Sequence, residues 1–239
     1  LSQSNFCFIG INVSGFQRYK KILDLFSEER SSWTVIEISK SLKTPSSTIY
    51  RIVREMVTAE FLESASGSYF RLGPAFIKFN RIINFSDPLV RAGQPFLKKL
   101  ANENPITSVN VLARLYGNNV MCVADYKSPS FKKNTSYQRG KLMPLMYGAT
   151  SRAIIMQITG KRLENLINLE KFKSDEDKTN FLKELKSDRK KGYCFTEGQV
   201  DKGLIGFAVS ISNKKLGIVA SLSSIFNLDD FLLEHEPIL

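Results

Sequence analysis

Residues 43–56 read KTPSSTIYRIVREM, and the register of this segment decides the N-terminal fold. Ile49, Ile52, Val53 and Met56 recur at the i, i+3, i+4, i+7 spacing that gathers apolar side chains on one stripe of a helix. Thr44 reads as an N-cap and Pro45 as the first helical residue, where the missing N–H is harmless and φ is already helical. The predicted helix leaves Ser46, Ser47, Thr48, Tyr50, Arg51 and Arg54 on its leading turn and outer face. Taken alone, such a face reads equally well as an ordinary solvated surface.

The flanking sequence tips that balance. Upstream, Thr34 with Glu37 three residues on forms a capping box, which opens a helix running to about Leu42 on Val35, Ile36, Ile38 and Leu42. Before it, Phe16, Ile22, Leu23, Leu25 and Phe26 sit at roughly helical spacing, and Ser31 with Ser32 makes a break. Two helices joined by a short turn, the second leading with hydroxyls and arginines, suit a helix-turn-helix entering a major groove. Hydroxyls, helix-terminal amides and one arginine would hold phosphates, leaving the others to read bases. Downstream, FLESASGSYFRLG over residues 61–73 holds two short β-prone runs around 64–67, a hairpin signal. A hairpin directly after the recognition helix is a wing, whose Arg71 or Ser66/Ser68 tip would reach a minor groove or phosphates.

Composition agrees with this reading without proving it. The 239 residues are 43% hydrophobic and 24% charged, enough for an ordinary core and unlike a disordered or fibrous chain. At 239 residues, a small unit plus a larger one is the natural division. The formal charge of +11 points to a polyanionic partner. It is spread along the chain, with eleven basic against seven acidic residues before residue 86 and 23 against 16 after it. Cys7, Cys122 and Cys194 are sparse and odd in number, which fits a reducing compartment. The apolar run at 6–13 is too short to cross a bilayer and lacks a basic flank, so it reads as a flexible leader or an arm that packs on a partner. A cytoplasmic protein is expected.

In the remaining two thirds, residues 73–88 predict an apolar linker helix between Gly-Pro and Ser-Asp-Pro, and 88–102 a second amphipathic helix. Two strand-like runs flank Gly117-Asn118-Asn119 as a hairpin. Residues 127–139 read as a basic loop before a short strand. Helices follow at 148–157, 161–168 and 175–191, the last acidic at its start and basic at its end, as a helix dipole prefers. A second hairpin spans 203–211 and 216–224. This order predicts an α+β domain, an antiparallel sheet flanked by helices.

Taken in order, these landmarks resemble the IclR family of transcriptional regulators. The resemblance rests on TPSSTIYRIVREM (44–56), YFRLG (69–73), VRAGQPFLKKLANE (90–103), GKLMPLMYGATSRAII (140–155) and KSDRKKGYCFTEGQVDKGLIGFAVSI (186–211). Glu60 stands where many members have a glycine, Ser151-Arg152 where a glycine-lysine pair is usual, and Gln199 where a glutamate is common. Ile225-Phe226-Asn227 stands in place of the family's serine-glycine-proline. The resemblance implies a leader (1–15), a winged helix-turn-helix DNA-binding domain (16–73), a linker helix (74–87) and a GAF- or profilin-like effector-binding domain (88–239). Thr34 and Thr44 join the helix and wing residues named above as the expected DNA-facing set.

The turn at 144–148 leads into a helix whose first amides, at Gly148 to Ser151, are expected to be free for a carboxylate. Thr150 and Ser151 would add hydroxyls and Arg152 a counter-charge, with Met143, Tyr147 and Ala149 beside them. The resemblance further implies Thr196, Leu204, Gly206 and Ser223 on the facing strands. Its partners would be a double-stranded operator, a small organic-acid or aromatic effector and further copies of itself as a homodimer or tetramer. Repression is expected more than activation.

Catalytic chemistry finds little support. His235 lies between Glu234 and Glu236 as a solvated tail residue, no paired metal-ligand or phosphate-loop spacing occurs, and Asp175, Glu176 and Asp177 read as a charged helix start. No cofactor, metal or membrane association is expected. The competing reading is a ligand-binding or protein-interaction module whose winged domain binds a protein; a small-molecule enzyme ranks third.

Overall fold

A computed structural model describes residues 15–170, 172 and 174–234. The expected leader, apart from Gly15, and His235 lie outside the described residues. The chain is an α+β protein of two compact units that divide between Phe85 and Ser86.

The first unit runs α1 (Gly15–Leu23), β1 (Ser32–Thr34), α2 (Val35–Leu42), α3 (Ser46–Thr58), β2 (Leu62–Ser64), a single 3-10 turn (Ser66–Ser68), β3 (Tyr69–Leu72) and α4 (Ala75–Ser86). Both halves of the capping box form: Thr34 Oγ1 accepts from the Glu37 amide at 3.3 Å and Glu37 Oε2 accepts from the Thr34 amide at 2.9 Å. The stripe Ile49, Ile52, Val53 and Met56 closes with Ile22, Ile38 and Leu62 into the core of the unit.

Two expectations are corrected here. Helix α3 begins at Ser46, one residue late, because Pro45 keeps an extended ψ of 139° and is itself the last non-helical residue. Thr44 therefore caps nothing, its hydroxyl donates to the Leu42 carbonyl at 3.1 Å, and the first amides of α3 have no side-chain cap. The break read at Ser31 and Ser32 is present, and it leads into a strand absent from the sequence reading, β1, which pairs antiparallel with β3 to give the sheet order β1-β3-β2. Three residues are too few to show alternation, so the sequence pattern hides this strand.

At the join of α3 and the wing, Glu60 takes a left-handed φ of 62°. Its carbonyl accepts from the Ala75 amide, and a Cβ on Gly73 would lie 2.2 Å from that same oxygen. The return of the wing to α4 thus depends on the absence of a side chain at residue 73.

The second unit opens with α5 (Pro88–Glu103), which continues through Pro95 and is capped by Asp87, whose Oδ1 accepts from the amides of Leu89 and Val90. Then come β4 (Ser108–Tyr116), β5 (Asn119–Lys127), β6 (Leu142–Met143), α6 (Ala149–Ile155), α7 (Gly160–Leu169), α8 (Asp175–Lys191), β7 (Tyr193–Glu197), β8 (Leu204–Asn213), β9 (Ile218–Asn227) and α9 (Leu228–Glu234). The six strands form one antiparallel sheet in the order β6-β5-β4-β9-β8-β7. One face packs Val109, Val111, Ala113 and Ile225 against Ile154, Ile155, Leu166 and Leu185 of α6, α7 and α8. On the other, Leu112 and Ala220 meet Val90 and Leu97 of α5. Among the described residues no helix is long and apolar enough to cross a membrane.

Candidate nucleic-acid interface and ligand site

The buried stripe of α3 fixes which of its residues face outward. Ser46, Ser47, Tyr50, Arg51 and Arg54 are exposed, and Thr48 is half-buried. Arg51 Nη1 lies 3.1 Å from Glu55 Oε1, while the Tyr19 hydroxyl of α1 donates to the other oxygen of Glu55. That bond to a carboxylate is the main reason the Tyr19 phenol titrates above its ordinary value. The Arg54 guanidinium stands 6.0 Å from the centre of the Tyr50 ring. At the leading turn, Ser46 Oγ donates to Ser39 Oγ at 3.0 Å, and Ser39 Oγ donates to the Thr44 carbonyl at 2.7 Å, tying the two helices across their turn.

The wing adds a cross-strand pair, Arg71 Nε to Glu63 Oε1 at 2.6 Å, on an exposed surface. Its tip is exposed at Ser66, Gly67 and Ser68, the last two with φ of 66° and 64°. Exposed ion pairs contribute about 0–1 kcal/mol, so neither Glu55 nor Glu63 holds its arginine strongly. Thr34 differs from the rest of the expected set, because both its amide and its hydroxyl serve the start of α2.

In the second unit, α6 is buried along its whole length. Its first amides are occupied, contrary to the reading from sequence: Gln199 Oε1 accepts from Gly148 N at 3.0 Å, and Thr196 Oγ1 accepts from Ala149 N at 3.0 Å. The sequence reading missed Gln199 as the capping group, since 51 residues separate it from the amide it holds. Thr196, Leu204 and Gly206 line a small space with Tyr137, Gln199, Val200 and Ile225 that amounts to about 10 Å³. A Cβ on Gly206 would meet Ala149 Cβ at 3.5 Å, an ordinary contact distance.

A hydroxyl chain continues inward. Ser223 Oγ donates to Thr150 Oγ1 at 2.9 Å and Ser221 Oγ to the Thr150 carbonyl at 2.8 Å. The Tyr137 hydroxyl also bonds Thr150, and burial pushes this phenol well above its ordinary range. Ser151 Oγ is buried with no hydrogen-bond partner among the described residues. Above the site, Asp201 takes the hydroxyl of Thr135 and both the amide and hydroxyl of Ser136, locking the 128–140 loop onto the 198–203 turn.

Three expected participants point elsewhere. Arg152 is 4% exposed and bonds Asp188 and Glu184 of α8, so its charge is spent within the fold rather than held for a ligand. Tyr147 donates to Asp177 Oδ2 at 2.9 Å, and its phenol is pushed up to about 12 by burial and then by that carboxylate. Met143 belongs to the main core. Among the described residues, Cys122 and Cys194 are buried and burial raises both thiols, Cys122 to about 12, which keeps these two from acting as nucleophiles.

Comparison with known proteins follows the same two-part division. The profile of the IclR helix-turn-helix domain matches residues 17–66, and that of the bacterial transcriptional regulator IclR C-terminal domain matches residues 86–229. The HTH-type transcriptional repressor AllR of Escherichia coli (strain K12) is 25% identical over 224 residues, covering 88% of this chain and 79% of that protein. The Pca regulon regulatory protein of Pseudomonas putida is 18% identical over 216 residues, covering 88% and 73%. Among solved structures, an IclR family transcriptional regulator from Brucella abortus superposes with a TM-score of 0.76 at 16% identity, covering 94% of this chain and 86% of that one. An IclR homologue from Microbacterium hydrocarbonoxydans, complexed with 4-hydroxybenzoate, gives 0.73 at 19% identity and 88% of each chain. At these identities the structural likeness is one of fold.

Proposed function

The chain belongs to the IclR family of transcriptional regulators, and on that premise we propose that it is a repressor that reads its operator with α3 and the wing. Residues 16–73 are the DNA-binding part, 74–87 the linker and 88–239 the effector-binding part of this reading. The observation that carries it is the outer face of α3, where Tyr50, Arg51 and Arg54 stand exposed over a fully buried stripe. Ser46, Ser47 and Thr48 sit beside the uncapped amides of α3, a set suited to one phosphate, with Arg71 and Ser66 of the wing on the flanking backbone. Thr34 and Thr44 support this face by fixing α2 and the turn.

Arg51→Ala is expected to weaken operator binding by about 1–3 kcal/mol, roughly 5- to 150-fold, and to relax specificity at one base pair. Gel-shift titration against a base-substituted operator series measures both; unchanged affinity and footprint would remove the assignment. A steep fall of log K with log salt separates this reading from a protein-binding role for the same face.

The effector is proposed to be a small organic or aromatic acid, a class to which the 4-hydroxybenzoate of the Microbacterium homologue belongs. It would enter between α6 and the β7–β8 strands, displacing Gln199 and Thr196 from the amides of Gly148 and Ala149. Ser151 and Ser223 would offer hydroxyls, and Leu204, Gly206, Met143 and Tyr147 walls. Such a ligand changes operator binding only through unequal affinity for two arrangements of the chain. The protein is proposed to work in the cytoplasm without catalysis. It acts as a homodimer closed over α4, whose Ile77, Phe79, Ile82, Ile83 and Phe85 are exposed.

A further inference from the structure

Residues 128–141 join β5 to β6, two strands that lie side by side in the sheet and that a short turn would suffice to connect. A connection of this length with no helix or strand of its own is uncommon unless it covers or binds something. Its side chains alternate: Phe131, Thr135 and Tyr137 are buried and Lys133 and Arg139 half-buried, while Lys132, Asn134, Ser136 and Gln138 are exposed. The segment therefore lies extended against the protein as a strap with one side turned inward.

The strap is held differently at its ends and in its middle. At the ends its backbone is tied to the sheet: the Ser128 amide donates to the Ser108 carbonyl at 2.9 Å, and the amides of Arg139 and Gly140 donate to Asp125 Oδ1 and the Cys122 carbonyl, each at 2.8 Å. Phe131 is sunk into the main core. The middle is fastened to the 198–203 turn instead. Asp201 takes three bonds there, from the Thr135 hydroxyl at 3.1 Å and from the Ser136 amide and hydroxyl at 2.9 and 2.7 Å, and Lys133 Nζ donates to the Gly203 carbonyl at 3.1 Å.

Beneath this middle, the Tyr137 hydroxyl bonds Thr150 of α6. A Cβ on Gly148 would come within 2.7 Å of Val200 Cγ2 and 2.9 Å of the Tyr137 oxygen, so strap and turn both press on the start of α6. The space left there, about 10 Å³, holds at most about one water, whereas small-molecule sites measure about 300–1,000 Å³. A ligand beside α6 requires something to move, and the middle of the strap is the part fastened by side chains rather than by the sheet.

We infer that residues 132–138 are a lid over the effector site, with Tyr137 as its plug and Asp201 as its latch. The inference rests on the effector reading given above. Opening breaks the bonds to Asp201 and swings Tyr137 off Thr150 about the anchored ends, Phe131 on one side and Gly140, with a φ of 89°, on the other. That uncovers the hydroxyls of Thr150 and of Ser223 behind it. Entry and exit use the same opening, so a weaker latch speeds both.

The test needs no effector and uses the full chain. In a Cys7→Ser background, Thr150→Cys places a thiol under Tyr137, and iodoacetamide reaches it when the lid is raised; peptide mass spectrometry reads the rate. Adding Asp201→Ala should raise labelling at position 150 by about tenfold or more, because the hydrogen bonds lost are to a charged acceptor. Asp201→Asn, which keeps an acceptor for the Ser136 amide, should fall between, and Ser136→Ala, altered on the strap alone, should shift the rate in the same direction. Cys194, buried against Ala149 and Ala153 of the same helix, should keep its slow rate in every variant. An unchanged rate at position 150 in both Asp201→Ala and Ser136→Ala, or a rise matched at Cys194, would overturn the lid. Failure of the effector reading shows separately: 4-hydroxybenzoate and other small acids would leave the wild-type melting temperature where it was, while the labelling contrast persisted.

Discussion

At the scale of single residues, three sites hold stress or charge that substitution exposes. Glu60 occupies a left-handed conformation that a side-chain-bearing residue reaches only at a cost, whereas Gly73 touches the Glu60 carbonyl. Glu60→Gly should raise stability by about 0.5–1 kcal/mol, and Gly73→Ala should lower it by more, both read from urea midpoints. Buried Arg152 and Asp188 hold each other, and Asp188→Asn should cost about 3–5 kcal/mol by leaving the guanidinium under-compensated. Glu37 titrates below the ordinary carboxylate range, first because the Thr34 amide donates to it, then through the Thr34 hydroxyl and Arg30. A pKa lower in the folded than in the unfolded chain contributes stability above the unfolded value, lost as pH falls through the folded one. Wild type and Glu37→Gln should therefore converge in stability on acidification below about pH 4, where an unperturbed glutamate protonates.

At the scale of elements, what the sequence disclosed was what is local. The capping box at Thr34 and the stripe of α3 depend on neighbours three and four residues away, so periodicity alone placed α2 and α3 and their exposed faces. The start of α3 slipped by one residue because the fixed φ of proline is compatible with either side of a helix boundary. Strand β1 was hidden because its partner, β3, lies 37 residues on, at Trp33 opposite Phe70. The surroundings of α6, the proposed effector site, were the least legible for the same reason: Tyr137, Thr196 and Gln199 reach α6 from separate loops and strands. A short helix with a glycine before it reads as a set of free amides until its distant caps are seen. The linker helix is a test at this scale. Ile82→Glu places a charge on the exposed apolar side of α4 and should halve the mass by sedimentation if that side closes the proposed dimer, with the fold of the first unit retained.

At the scale of the whole chain, two units with separate cores carry the two proposed sites. A small acid bound at 100 times its Kd should stabilise the second unit by about 2.7 kcal/mol, visible as a raised melting temperature. Gly206→Ala, whose added methyl meets Ala149 Cβ at ordinary contact distance, should fold normally and lose that rise. Retention of the full rise in Gly206→Ala would move the ligand elsewhere.

Strand β1 also gives the protein a built-in optical gauge. Trp33 is the sole tryptophan of the chain, and it sits under the Arg30 guanidinium, opposite Phe70 of the wing, with its indole N–H on the Leu25 carbonyl at 3.0 Å. Its emission therefore comes from one known position at the root of the β-ribbon. Unlabelled protein titrated with duplex should change in fluorescence as the ribbon engages, and added salt should reverse the signal.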